Sequence, residues 1–158
     1  MPPLPYAIYH ATVVPEWIDY NGHMNVAYYV LAFDRATDRL LDHLGIGEAY
    51  RRATSRSVFA LEAHITYERE LRLGDAFAID TRLIDADRKR LHLFHTMTKG
   101  EGGDVAATLE AMALHVDLAG PSATLFPDEA SAKIEALLAA HRTFAPPPQL
   151  GRKIGIRR

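Results

Sequence analysis

The chain has 158 residues, room for one domain with one sizeable core, and 48% hydrophobic against 24% charged residues excludes a disordered, fibrous or low-complexity chain. Its apolar runs fall far short of a membrane span, and no basic region followed by an apolar stretch opens it, so neither a membrane nor a secreted protein is expected. The net charge of −2 hides a split: residues 1–150 carry −6 and Arg152, Lys153, Arg157 and Arg158 carry +4, which makes the body a poor surface for nucleic acid.

Residues 6–13 are rich in aromatic and β-branched side chains and predict a first strand, followed by an irregular stretch over 14–25 holding Pro15, Asn21 and Gly22. From Val26 the period changes. Val26, Tyr29, Phe33, Leu40, Leu41 and Leu44 recur at helical spacing opposite Arg35, Asp38, Arg39 and Asp42, which predicts an amphipathic helix closed by Gly45 and Gly47. Residues 50–56 read as a polar link. In 58–67 the period becomes two, with Phe59, Leu61, Ala63, Ile65 and Tyr67 forming one uniformly apolar face of a long strand.

Strands are predicted next over 76–84, 90–98 and 105–118, separated by turn chemistry at 73–75, 85–89 and 100–104, so the four consecutive strands are expected to form an antiparallel meander. A last helix is expected over 127–141, and Pro146, Pro147 and Pro148 end regular structure. The order defines an α+β chain: one antiparallel sheet with a long helix on one face. The uncovered face and the edges call for an oligomer.

Chemistry concentrates in residues 16–25, where Glu16, Asp19, His23, Asn21 and Asn25 fall in a loop just before the long helix. The first N–H groups of that helix, near Val26 and Ala27, lack intrahelical acceptors and favour negative charge. A carboxylate such as Asp19 beside them would pair a base or nucleophile with an oxyanion donor, the two parts of an acyl-transfer centre. The plainer alternative is that Asp19 or Asn25 only caps the helix.

Other motifs fail on physical grounds. There is no cysteine, hence no disulfide framework, thiolate metal site or cysteine nucleophile, and the cytoplasm is the expected compartment. His92 and His95 lie three apart in a strand and point to opposite faces, so no metal site is expected. Gly45-Ile46-Gly47 follows a helix and stops it rather than cradling a phosphate. Glu62 and His64 share a strand face, as do Thr108 and Glu110, with half-exposure on the sheet the plainer reading. Arg88, Lys89 and Arg90 cluster at a hairpin, either as a solvated turn or as a receiver of phosphates.

On these residues the sequence resembles the hotdog-fold acyl-CoA thioesterases, the group that includes 4-hydroxybenzoyl-CoA thioesterase. The helix-opening pattern Asp-x-x-Gly-His-x-Asn-x-x-Tyr is matched by Asp19, Gly22, His23, Asn25 and Tyr28, and the element order matches from about Ala7 to His141. The stretches 20–25, 64–67 and 114–117 look most like the branch found with carnitine-degradation genes, whose members act as betainyl-CoA thioesterases.

The resemblance implies a hotdog fold, a long helix wrapped by a five-stranded antiparallel sheet with a short C-terminal helix, over residues 1–145, and a Pro-rich, then basic tail over 146–158. It implies an acyl-CoA substrate, a homodimer or homotetramer, and no cofactor beyond the CoA of the substrate. Asp19 matches the family's catalytic carboxylate, as nucleophile or general base, and the N–H near Val26 its carbonyl-polarising donor; His23 and Asn25 match motif positions that arrange water, substrate or loop. Many relatives carry a further Asp two residues before the catalytic one, where this chain has Trp17.

For a betaine-type acyl group, Trp17, Tyr20, Tyr28, Tyr29 and Tyr67 would offer aromatic faces to a quaternary ammonium, and Glu62, His64 or Glu110 would add polar contacts. Arg88, Lys89 and Arg90, or the tail, would receive the CoA phosphates. The alternatives are a hotdog dehydratase using His23 with Asp19, and a non-catalytic acyl-CoA-binding protein.

Overall fold

Helix α1 (Val26–Leu44) is the element around which the rest is arranged. In the computed structural model, which describes residues 6–158, its apolar stripe of Tyr29, Ala32, Phe33, Ala36, Leu40, Leu41 and Leu44 is buried against one face of a curled antiparallel sheet. The strands are β1 (Tyr6–Thr12), β2 (Arg56–Tyr67), β3 (Ala76–Ala86), β4 (Arg90–Lys99), β5 (Val105–Asp117) and a two-residue β6 (Ser122–Ala123). A short α2 (Glu48–Thr54) follows α1, and α3 (Asp128–His141) closes the regular part of the chain.

The core has two halves. The first half of α1 packs Tyr29, Phe33 and Ala36 on Phe77, Ile79, Met97 and Leu109. The second half packs Leu40, Leu41 and Leu44 on Leu83, Leu91 and Leu93, with Ile134, Leu137 and Leu138 of α3 filling in beside them. Each buried Leu, Ile, Phe or Met among them contributes about 1.5–3 kcal/mol by leaving water. The αL residue Gly45 (φ 76°) ends α1 as expected, its N–H returning to the carbonyls of Leu41 and Asp42.

Three expectations need correction. The strands do not form a four-strand meander: the sheet order is β1-β3-β4-β5-β2, so β2 pairs with β5 and only β3-β4-β5 are consecutive neighbours. The chain crosses from β2 to β3 by residues 68–75, and that loop is pinned to the start of α1, where Met24 N–H donates to Leu71 O (2.7 Å) and Leu71 N–H donates to the Tyr29 hydroxyl (3.0 Å).

The uniformly apolar face of β2 does not exist either, because a bulge between Ala60 and Glu62 shifts the register by one. Val58 packs into the core below the bulge and Ile65 above it, while Phe59 (47% exposed) and Leu61 (56%) face solvent. Finally, residues 48–54 are a helix rather than a polar link. No side chain of α2 is buried, so it carries no apolar period to read; it is held by the Arg52–Glu48 pair, and its half-buried Tyr50 donates to or accepts from His115 Nε2 at 2.9 Å.

Inside the core, His95 of β4 is fully buried under α1. Its Nδ1 meets Thr81 Oγ1 (2.8 Å) and its Nε2 meets Thr37 Oγ1 (2.9 Å), whose hydroxyl donates to Phe33 O (3.0 Å). With the Thr37 proton thus committed, Nε2 carries the hydrogen and the ring is neutral. Burial pushes His95 down to about 3, and burial with Arg82 nearby pushes His141 down to about 4.

Both imidazoles are protonated in the unfolded chain below about 6.5 and not in the folded one, so their contribution is full above that pH and is lost as pH falls. Asp80, lifted by burial to about 6, has the opposite sign and offsets one of them below that pH. The net difference is near one proton. Denaturant unfolding between pH 6 and 4.5 is therefore expected to lose about 1.4 kcal/mol per pH unit, and His95→Gln to bring that slope near zero. Parallel slopes for the two proteins would show that His95 is not the titrating group.

Candidate active site

The loop ahead of α1 is built by backbone pairing. Val13 is tied to the turn before β3, its N–H donating to Asp75 O and its carbonyl accepting from Gly74 N–H, both at 3.0 Å. A 3-10 turn over Pro15–Trp17 reverses the chain, and an Ile18–Met24 bridge closes a small hairpin with Asn21 and Gly22 (φ 78°) at its tip. Inside it, Asp19 N–H donates to His23 O and Gly22 N–H to Asp19 O, at 3.1 and 3.0 Å. The sequence folds this way because Gly22 accepts a positive φ at no steric cost and Asp19 Oδ1 accepts the Asn21 N–H at 2.8 Å.

Asn25 links this hairpin to the helix. Its Oδ1 accepts the Ala27 N–H (2.9 Å), which makes it the N-cap. That contact fixes the amide, so the Nδ2 hydrogens face the other way and donate to Asp19 Oδ2 at 3.2 Å. One side chain therefore caps α1 and orients the Asp19 carboxylate. Each carboxylate oxygen holds one protein donor, leaving lone pairs for a substrate or a water. Asn25 takes the Ala27 N–H with its side chain and the Tyr28 N–H with its carbonyl, and no acceptor among the described residues meets the Val26 N–H, whose residue is 57% exposed. The capping alternative thus holds for Asn25 and not for Asp19.

Aromatic side chains frame the loop. Trp17 stacks on Tyr28 (centroids 5.6 Å apart, planes at 16°) and leans on Phe77, while Tyr67 meets Tyr29 edge-on at 5.3 Å. Burial raises the pKa of both the Tyr29 and Tyr67 hydroxyls. Tyr29 was legible as a core residue and as an aromatic face, and its hydroxyl also ties α1 to the 68–75 loop. Tyr20, 97% exposed, projects from the hairpin and joins neither group. The His23 imidazole lies near Glu70, a carboxyl held below its ordinary value chiefly by its own backbone N–H and Arg72 and then by His23.

The remaining sequence candidates sit elsewhere. Glu62 and His64 lie on the sheet face turned away from α1, where they line a cleft of about 290 Å³ with His92, Glu110 and Arg152. They are not brought to the Asp19 loop. As the strand period requires, His92 shares that outer face, its Nε2 2.8 Å from Glu110 Oε1, whereas His95 faces the core. Arg88, Lys89 and Arg90 stand at the β3–β4 hairpin, beside the core half that holds the end of α1, so the length of the helix separates them from Asp19. Arg90 is already committed to Asp87 (2.6 Å), whose carboxyl it helps draw down to about 2.

A curled antiparallel sheet around one long helix is a hotdog fold, and the relatives of this chain are named thioesterases, which makes it a hydrolase acting on thioesters. The chain belongs to the Thioesterase-like superfamily, whose family model matches residues 13–134. It is 42% identical over 148 residues to the betainyl-CoA thioesterase of Pseudomonas aeruginosa, covering 94% of this chain and 93% of that one. It is 34% identical over 154 residues to the L-carnitine dehydrogenase/betainyl-CoA thioesterase of Rhizobium meliloti, of which it spans 31%. Among solved structures it is similar to a Staphylococcus aureus protein in complex with CoA, with a TM-score of 0.90 and 36% identity over 96% of this chain and 95% of that one.

Two substitutions separate the roles of Asn25. Asn25→Ala should cost about 1 kcal/mol through the lost cap. Asn25→Asp should keep the cap and the stability at neutral pH to within that figure while setting a second carboxylate against Asp19. Thermal unfolding and turnover of the two proteins beside wild type check this: wild-type activity in both would mean that the Asp19–Asn25 contact positions nothing.

Proposed function

We propose that this chain hydrolyses a short cationic acyl-CoA, betainyl-CoA, to the free acid and CoA. The observation that carries the reading is the Asp19–Asn25–Ala27 chain of hydrogen bonds, which holds a carboxylate beside the open Val26 N–H. Asp19 delivers the attack on the thioester carbonyl, directly or by taking a proton from a water. In the water route the water oxygen bonds to the carbonyl carbon, its proton passes to Asp19, and the oxyanion is received by Val26 N–H. Collapse breaks the C–S bond, and the proton returns from Asp19 to the departing sulfur. No cofactor enters either route.

The acyl group is supported by two things: relatives named for betainyl-CoA at 42% and 34% identity, and the aromatic faces of Trp17, Tyr28 and Tyr67 near the loop, since aromatic rings attract a quaternary ammonium. Self-association as a homodimer or homotetramer is supported by the free edges of β1 and β2 and by the exposed Phe59 and Leu61 on β2.

A positioned general base contributes about 10²–10⁴ in rate and one oxyanion donor about 10²–10³. Asp19→Asn is expected to lower kcat by at least about 10² with betainyl-CoA, read as thiol release, and His23→Ala by far less. Unchanged kcat in Asp19→Asn would remove Asp19 from the chemistry; a faster reaction on acetyl-CoA than on betainyl-CoA would remove the cationic acyl group. Single turnover in isotopically labelled water distinguishes the routes, since label reaching Asp19 marks an anhydride.

A further inference from the structure

After α3 the chain does not leave the body. Arg82 on the outer face of β3 donates to three carbonyls of the departing segment, Ala145 O (2.7 Å), Phe144 O (3.2 Å) and His141 O (3.4 Å), and its guanidinium lies over the Phe144 ring at 5.6 Å. Further on, Gln149 Nε2 donates to Glu68 (2.7 Å) and Gly151 N–H to Glu110 Oε2 (2.8 Å), with Glu110 braced by His92. The register aligns Arg82, Phe94, Glu110 and His64 as one row across β3, β4, β5 and β2. Both flanks of Phe94 in that row grip the segment, which explains why an outer-face phenylalanine is only 1% exposed. Residues 142–152 are a strap laid across the sheet at right angles to its strands.

The strap delivers charge to the β2 edge. No acidic residue follows Glu135, and Arg152, Lys153, Arg157 and Arg158 make no ion pair among the described residues, whereas Arg52, Arg56, Arg69, Arg72, Arg90 and Lys99 each have an acidic partner. Arg152, Lys153 and Arg157 line a cleft of about 240 Å³ against His64, Thr66 and Tyr67. Tyr67 is the hinge of the geometry. Its ring touches Tyr29, one helical turn beyond Val26, so the cleft and the open N–H lie on either side of one pair of rings.

From this we infer that the strapped C-terminal segment, and not the β3–β4 hairpin, is the grip for the phosphates of the coenzyme: Arg152, Lys153 and Arg157 receive the polyanionic end of an acyl-CoA whose thioester lies at Val26. The inference rests on the acyl-CoA activity proposed above. Three unpaired cations in one cleft match a ligand that carries a diphosphate and a further phosphate; Arg88 and Lys89 also make no ion pair among the described residues but stand at the far end of α1. The Arg82, Glu68 and Glu110 contacts hold the chain as far as Gly151, so the cations start from a fixed point on the sheet.

The test compares wild type with the triple variant Arg152→Ala, Lys153→Ala, Arg157→Ala, which leaves every strap anchor in place. Calorimetry with coenzyme A should show at least a tenfold weaker Kd in the variant, with a smaller loss for dephospho-coenzyme A and none for pantetheine. On a CoA thioester KM should rise while kcat holds, because the contacts are remote from the carbonyl. A Kd for coenzyme A within twofold of wild type, or an equal loss for pantetheine, which has no diphosphate, would overturn the grip. Strap-dependent binding of coenzyme A without any thioester turnover would support the grip and count against the catalytic reading instead; turnover with an unchanged KM in the variant would do the reverse.

Discussion

Helix α1 has to bury one apolar stripe in the curl of the sheet, and that constraint places nearly everything else. Phe33, Ala36 and Leu40 are fully enclosed, so the helix can neither rotate nor slide without opening the core. Its first turn is thereby held at one end of the sheet, where the 68–75 loop crosses and the 13–25 hairpin returns. The Val26 N–H and the Asp19 carboxylate keep their places because both are attached, the second through Asn25, to a helix that packing has immobilised. A loop carboxylate is thus held in position by leucines and phenylalanines of the core.

The loop uses few residues for this. Asn25 satisfies one orphan helix donor and spends its other end on Asp19, so that capping and orientation are the same amide plane. Had Asp19 been the cap, its carboxylate would have been consumed by the helix; as it is, each of its oxygens holds one donor and keeps a free lone pair. The two faces of the sheet divide the work in a similar way: the face under α1 holds the neutral, desolvated His95, and the face away from it holds the wet carboxylates and imidazoles on which the C-terminal segment fastens.

Much of this was legible from residues in order. The helix over 26–44, its Gly45 stop, the last helix and the Asp19-to-Tyr28 signature all follow from period, cap chemistry and motif, each a local property. What escaped was non-local. The pairing of β2 with β5 depends on where a long loop travels, and the outward turn of Phe59 depends on one inserted residue that no alternation announces. Helix α2 buries nothing and so leaves no pattern. Glu62 and His64 were close in sequence to Tyr67, but a sheet has two faces, and strand parity alone does not say which one a bulged strand shows. The strap is bound largely through backbone carbonyls and a backbone N–H, groups every residue has, with the Gln149 amide and the Phe144 ring added, so its docking could not be seen in Pro146, Pro147 and Pro148.

The bulge at Leu61 carries a wider consequence for the β2 edge. On either side of it the strand is in opposite phase, so an incoming strand that matches residues 62–67 is out of step with residues 56–60. The extra twist of a bulge also takes the edge out of plane. A free edge of twelve residues would otherwise template indefinite addition of chains. Interrupted in this way, the edge offers no continuous register along its whole length, and the inserted residue works against open-ended strand addition.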